Sequence, residues 1–332
     1  MSDRLLVTGG AGFIGSELTR QLASRGAEVV VLDNLVNGRR DNLAGIDGRA
    51  ELVVGDIRDR ELVTRLMGGV SVVFHLACLG VRHSIHSPQE NHDVNASGTL
   101  LLLQAARAAA VSRFVYVSSS EVYGTARTVP IREDHVTVPA TVYGAAKLAG
   151  ESYARAFHST YGYPTVVVRP FNSYGPRSHH EGDSGEVIPK FILRSLAGRP
   201  LVIFGDGSQT RDFTFVEDTA RGIVHAGFED RMIGETVNIG SGRELRIDEL
   251  ARRVGVLTGR DARVQHDAPR PGDVLRLLAD TTRARELFDF KPLISLDEGL
   301  GRLLEWYVAR PESPDALLQT EQTHNWLARE GR

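Results

Sequence analysis

Val7-Thr8-Gly9-Gly10-Ala11-Gly12-Phe13-Ile14-Gly15 decides the fold. Ahead of it, Leu5-Leu6-Val7 is apolar without alternation, as a strand buried on both faces must be. Behind it, residues 13–25 carry Ile14, Leu18 and Leu22 at helical spacing. Between the two, Gly10, Gly12 and Gly15 satisfy G-x-G-x-x-G, and Gly9, Gly12 and Gly15 satisfy T-G-x-x-G-x-x-G. Glycines there allow a tight turn and let the backbone approach a pyrophosphate at the helix N-terminus. A glycine-rich turn alone is weak evidence; the strand–turn–helix context makes it a dinucleotide site. Asp33 ends the second strand, 18 residues after Gly15. A carboxylate in that place can hold both ribose hydroxyls of NAD and repel the 2′-phosphate of NADP. Arg39 and Arg40 could be read the other way, as a clamp for that phosphate; the weight lies with Asp33 and NAD. Asp56-Ile57 follows the third strand where an adenine would lie, although Asp56 could equally be a solvated turn residue.

The same alternation continues outward. Apolar strands are predicted at 29–32, 52–54, 72–76, 114–117 and 165–168, with helices at about 94–110 and 141–161. This is the pattern of an α/β protein with a Rossmann doubly wound parallel sheet, expected over residues 1–171. Beyond 171, glycine and proline punctuate the chain and the predicted helices are short, near 187–197, 217–228, 247–257 and 296–308. Residues 172–332 therefore read mainly as a smaller, interleaved substrate lobe. Segments within about 212–239, at 213–216 and 237–239, are expected to return to the main body.

Composition removes several function classes. Among 332 residues, 39 Lys and Arg face 42 Asp and Glu, a net charge of −3 without a basic cluster. Nucleic acid is not an expected partner, because phosphates demand clustered cations. Cys78 is the single cysteine, so no intrachain disulfide can form; a lone thiol fits a reducing compartment. The N-terminal MSDRLLVTGG lacks the apolar core of a signal peptide, and no apolar run approaches the roughly 20 residues of a membrane span. The expectation is a cytoplasmic protein with no membrane partner.

Tyr143-Gly144-Ala145-Ala146-Lys147 places a phenol and an amine at i and i+4, on one helix face. Ser118-Ser119-Ser120-Glu121 follows the fifth strand, at the end of a parallel sheet where ligands bind. A tyrosine of pKa about 10 is a poor base at neutral pH. One positive charge about 4 Å away, at an effective dielectric near 20, would contribute about 4 kcal/mol, roughly three pKa units. Lys147 together with a nicotinamide cation is thus expected to hold Tyr143 near its ionised form.

TGGAGFIG, VLDNLVNG, GDI, HLAC, VSSSEVYG, YGAAK, RPFNSYGPR, FGDGSQTRDFTFVED, NIGSG and RPGD stand in one order over nearly the whole chain. In that set the sequence resembles the extended short-chain dehydrogenase/reductases, in their nucleotide-sugar epimerase/dehydratase branch, and is UDP-glucose 4-epimerase-like. The resemblance implies Ser119, Tyr143 and Lys147 as catalytic residues, with Glu121 beside them. It implies NAD contacts from Gly9, Gly12, Phe13, Ile14, Gly15, Asp33, Asn34, Asn37, Gly38, Asp56, Ile57, Leu76, Ala77, Asn95, Tyr143, Lys147 and Pro170. It implies nucleotide-sugar contacts from Ser119, Ser120, Asn172, Val187, Arg211, Arg270 and Asp273. Two arginines suit a diphosphate through forked hydrogen bonds, and Asp273 matches a position near the nucleoside ribose. Where the family has HLAA this chain has HLAC, and Cys78 reads as packing. The doublet in His179-His180-Glu181 suggests a metal, but adjacent side chains point apart and spacing supplies no third ligand, so no metal is expected. The helices near 94–110 and 141–161 are those through which the family forms homodimers.

The reaction is read from what surrounds Glu121. Dehydratases of the dTDP-glucose type carry an Asp-Glu pair where this chain has Ser120-Glu121, so the proton donor for water loss is missing. Decarboxylases of UDP-glucuronate resemble the Ser-Ser-Glu run, whereas LGVRHSIHSPQENHDVN and DNLVNGRRDNL resemble 4-epimerases. The expected activity is 4-epimerisation of a nucleoside-diphosphate sugar, of UDP-hexose or UDP-hexuronate type, with UDP favoured over dTDP. Decarboxylation and 4,6-dehydration are the alternatives. A non-catalytic NAD-binding regulator is the remote one, since fold does not dictate function.

Overall fold

The computed structural model describes residues 3–46 and 48–327. Its centre is a parallel sheet of β1 (Arg4–Thr8), β2 (Glu28–Asp33), β3 (Ala50–Val54), β4 (Val72–His75), β5 (Arg113–Val117) and β6 (Thr165–Pro170). Outside it lie β7 (Ser173–Tyr174), β8 (Leu201–Phe204), β9 (Thr210–Asp212) and β10 (Thr214–Phe215), before β11 (Thr236–Ile239) rejoins the sheet. The order is β11-β6-β5-β4-β1-β2-β3, with Val7 opposite Val31 on one side and Phe74 on the other. Strand order reverses on the two sides of β1, which opens a crevice at the C-terminal ends of β1 and β4.

Except for the edge strand β3, where Glu51 and Val54 are exposed, the strands of this sheet are covered on both faces, which is why their sequence runs were apolar without alternation. On one face, Leu5, Val7, Val29, Val31, Phe74 and Val115 pack with Leu18 and Leu22 of α1 (Phe13–Ser24). On the other, Leu6, Val30, Phe114 and Tyr116 pack against a second set of helices. These include α2 (Arg60–Leu66), then, beyond α3 (Val81–His86) and α4 (Pro88–His92), α5 (Thr99–Ala108) and α6 (Val142–Tyr161). Thr141 starts α6 by accepting a hydrogen bond from the Gly144 N–H through its Oγ1, at 3.2 Å, and Gly162 ends it at φ +63°. The helix expected at 94–110 differs at its start: residues 93–98 are wound as a π-turn, and α5 ends at Ala108.

A separate apolar cluster lies beyond 171. It is built from α7 (Val187–Leu196), α9 (Ile247–Thr258) and α11 (Leu296–Val308), with Phe213, Phe215 and Leu201. The predicted return of 213–216 to the main body is corrected here. Thr214–Phe215 pairs with Ser173–Tyr174, and both phenylalanines belong to this second cluster. Only the helix that follows, α8 (Val216–Phe228), returns to lie against α1. The strand at 237–239 does rejoin the sheet, with Val237 opposite Val168. Two small pairings were not predicted: β12 (Glu244–Arg246) with β9, and β13 (Val264–Asp267) with β8. Two short helices, α10 (Thr282–Phe288) and α12 (Pro314–Leu317), complete the helices. Among the described residues, no helix is long and apolar enough to cross a membrane.

Candidate active site

A cavity of about 470 Å³ runs from the crevice beside β1 into the second lobe. Its first end is made by the glycine turn. Gly9 has φ +71°, and a Cβ added at Gly15 would lie 2.0 Å from the Gly9 carbonyl oxygen, so only glycine allows this backbone. Asp33 is 7% exposed. Its Oδ2 accepts from the Ala11 N–H at 3.0 Å and its Oδ1 from the Leu35 N–H at 2.8 Å. A Cβ at Gly38 would come within 2.6 Å of that carboxylate. Burial raises the Asp33 pKa, and the backbone N–H donors act against this. The carboxylate lines the cavity with acceptor capacity left over. The Arg39 guanidinium is engaged elsewhere, donating to Glu181 at 2.6 Å. These features fit NAD.

Deeper in, Ser119 caps the turn of residues 120–123, accepting from the Glu121 N–H at 3.2 Å. Tyr143 lines the same wall of the cavity as Ser119, and the serine hydroxyl acts on the phenol to favour its ionised form. Lys147 is 3% exposed, and its Nζ donates to the Val117 carbonyl at 2.9 Å, 6.0 Å from the Tyr143 ring centroid. The two side chains thus stand near one another, with Lys147 anchored on β5. Burial pushes Tyr143 well above the ordinary tyrosine range, Cys78 and Glu121 add to this, and Ser119 opposes it. Cys78 forms part of the cavity wall. Glu121 is raised above the usual carboxylate range by burial, against the pull of Arg211 and Arg270.

The far end is charged. Asp273 Oδ1 accepts from Arg211 at 2.5 Å and from Arg270 at 2.9 Å, so one carboxylate sets both guanidinium groups. Arg211 is fixed further by the carbonyls of Thr210 and Val274. Asn172 and Val187 line the same space.

All the residues assigned above to cofactor, chemistry or substrate line this cavity except Asn95. That assignment is corrected: the Asn95 amide bonds the N–H and carbonyl of Leu79, at 2.9 Å each, and stands behind the wall. The His179 and His180 rings do not point apart as expected. Both reach Glu181, at 3.5 and 3.3 Å, but that carboxylate already holds Arg39. Several cavity residues were missed, and three of them carry displaced charge. The Arg82 Nε is buried without a hydrogen-bond partner, and burial lowers the guanidinium to a pKa of about 10. Burial raises the Glu186 carboxyl to about 7 and lowers the Lys190 amine to about 7. A lone charged residue on or at the start of a helix gives no sequence signal of facing inward; only the fold turns these three toward the cavity.

The family model described as NAD dependent epimerase/dehydratase family matches residues 5–240. A UDP-glucose 4-epimerase of Mycolicibacterium smegmatis is 39% identical over 310 residues, covering 92% of this chain and 98% of that protein. An epimerase of Methanothermobacter thermautotrophicus superimposes with a TM-score of 0.89 at 40% identity, covering 92% of each chain. A dTDP-glucose 4,6-dehydratase of Streptomyces venezuelae, solved with NAD bound, superimposes with a TM-score of 0.87 at 37% identity, covering 92% of this chain and 97% of that one.

Proposed function

The chain belongs to the NAD-dependent epimerase/dehydratase family, and within it we propose that this protein inverts C4 of a sugar carried on uridine diphosphate. The observation that carries this reading is the wall beside Tyr143. Ser119 lines the cavity with the phenol, and the next residue is the buried, neutral Ser120 rather than an acid. Such a wall can hold an oxygen and move one proton, and it places no aspartic acid beside Glu121 to expel water.

The glycine turn and Asp33 would hold NAD, which when bound would supply the acceptor and the donor of a hydride at C4. With the positive charge of Lys147 and of bound cofactor favouring its ionised form, Tyr143 would accept the proton of the 4-hydroxyl as a phenolate and later return it. Ser119 donates to the same oxygen throughout, and Lys147, fixed on Val117, contributes positive charge behind the phenol. Arg211 and Arg270, set by Asp273, hold the diphosphate while the sugar turns over between the two transfers.

Substrate deuterated at C4 should give epimer that keeps deuterium at C4, and reaction in heavy water should place none at C5. Mass spectrometry and proton NMR with UDP-glucose and UDP-glucuronate would read both. A second reading, decarboxylation, is favoured by Glu121, whose raised pKa suits a proton donor. Carbon dioxide and a pentose from the uronate would establish it and overturn epimerisation; deuterium at C5 with loss of the 6-hydroxyl would mean dehydration.

Glu186 and Lys190 give a pH prediction. Both line the cavity with pKa values of about 7. A diphosphate beside them favours the protonated form of each, so UDP binding near pH 7 should take up protons and weaken as pH rises through that range. Calorimetry in two buffers of different ionisation enthalpy measures the uptake; equal heats would show that neither group senses the diphosphate.

The same reading includes a homodimer through α5 and α6. Leu101, Ala105, Tyr153 and Phe157 are only partly buried there, and Tyr161 is 52% exposed. Light scattering at micromolar concentration should give twice the chain mass, and a monomer would exclude it.

A further inference from the structure

His83 and His86 are three residues apart on α3 and share one side of it, with ring centroids 4.8 Å apart. Facing them is Asp183, in the loop 175–186 that leads into α7. A single oxygen of that carboxylate, Oδ2, lies 3.2 Å from His83 Nδ1 and 3.1 Å from His86 Nε2. The donor atoms of the three residues lie within 4.8 Å of one another. Zinc bonds of about 2.05 Å to nitrogen and oxygen in a tetrahedron give ligand–ligand edges of about 3.3 Å. Two of the three edges here already have nearly that length.

The outer side of each ring is also occupied. His83 Nε2 is 3.1 Å from Glu90 Oε2, and His86 Nδ1 is 3.0 Å from Ser87 Oγ. A carboxylate on the outer nitrogen of a histidine fixes the proton there and turns the other nitrogen's lone pair inward, as in carboxylate–histidine–metal chains. For His83 that lone pair would face the lone pairs of Asp183. Two acceptors at this distance need a cation between them, either a second proton on the imidazole or a metal ion. Imidazole nitrogens with one carboxylate suit zinc and its late first-row neighbours, not the all-oxygen preference of calcium or magnesium.

We propose that His83, His86 and Asp183 form a binding site for a divalent transition-metal ion of the zinc class, with solvent completing the coordination. Sequence spacing gave no hint of it, because the carboxylate comes from a loop about a hundred residues away. The ion would tie α3, which carries Arg82, to a loop that also bonds the cofactor side of the cavity. Ser184 Oγ donates to Asn37 Oδ1 at 3.0 Å, and Glu181 holds Arg39. Its role is that of a clasp closing the outer wall of the cavity, without contact with the reacting atoms.

The untagged full chain, stripped with a chelator, should be titrated with Zn²⁺ by calorimetry and with Co²⁺ by visible absorption. The expected result is one ion per chain and the strong visible bands of a four- or five-coordinate cobalt site. Glu90→Gln, which removes only an outer partner, should weaken binding by about 10–100-fold. His86→Gln and Asp183→Ala should weaken it by more, with far-ultraviolet dichroism and metal-free melting temperature near those of the parent chain. No saturable uptake at about 1 mM ion would overturn the proposal and leave His83 as an imidazolium between two carboxylates. Uptake that Asp183→Ala and His86→Gln leave unchanged would overturn it equally, by placing the ion elsewhere.

Discussion

Tyr143→Phe should lower turnover by about 10²–10⁴-fold, the usual contribution of a positioned acid–base group, while the chain stays folded and keeps NAD. Steady-state kinetics, absorbance of released cofactor and a melting curve test the three parts together. The expectation rests on what the ring and the hydroxyl each do. The ring packs in the cavity wall, 6.0 Å from the Lys147 nitrogen, and phenylalanine keeps that packing. The hydroxyl, beside Ser119, is the group proposed to take a proton from a sugar oxygen held there. Burial disfavours the phenolate, so the free protein should show no tyrosinate absorbance at neutral pH. Turnover reduced less than about tenfold would show that another group moves the proton, and would leave the fold assignment intact.

Glu151→Ala should destabilise the chain by about 3–5 kcal/mol, the cost of leaving a buried charge without its partner. Glu151 is fully buried, and Arg169 is 3% exposed. The pair is bidentate, Arg169 donating to Glu151 Oε1 at 2.8 Å and Oε2 at 2.6 Å. Arg169 also donates to the Tyr123 hydroxyl at 2.7 Å, which in turn donates to Asn238 Oδ1 at 2.7 Å. One network thus links α6, β6, the turn after Ser119 and β11. Burial acts to raise the Glu151 pKa, but Arg169 overcomes it and the carboxyl is held below its ordinary value of 4.5. A depressed carboxylate stabilises the fold above its unfolded pKa, and that stability is lost as pH falls through the folded value. The gap between parent and Glu151→Ala should therefore be full at neutral pH and narrow below about pH 4. Urea unfolding across that range measures it. A gap under about 1 kcal/mol at pH 7 would mean that water replaces the partner. Because Tyr143, Lys147 and Glu151 recur every four residues on α6, the variant should also lose activity, by letting the helix shift under its catalytic residues.

Much of this was legible in the residues. Continuous apolar runs identified the strands of the sheet, because a strand covered on both faces has no polar side to alternate with. Gly9, Gly12, Gly15, Asp33, Tyr143 and Lys147 could be read because each is demanded by local geometry: a turn, a strand end, a helix repeat. What could not be read depends on distant neighbours. Asn95 looks like any cavity asparagine until Leu79 is seen to take its amide. Phe213 and Phe215 look like strand residues of the main sheet until Tyr174 is found beside them. His83 and His86 become a pair with meaning only when Asp183 arrives.

β11 reaches the sheet after the chain has left it for the second lobe and returned. While the protein is being synthesised, the outer edge of β6 stays open until residue 239 has emerged, and a bare apolar edge invites pairing with a neighbouring nascent chain. A hybrid that exchanged everything after residue 171 between two relatives would carry a foreign seventh strand into its own sheet. Recombining specificities in this architecture therefore calls for cuts on both sides of 236–239, leaving that strand with the body it closes.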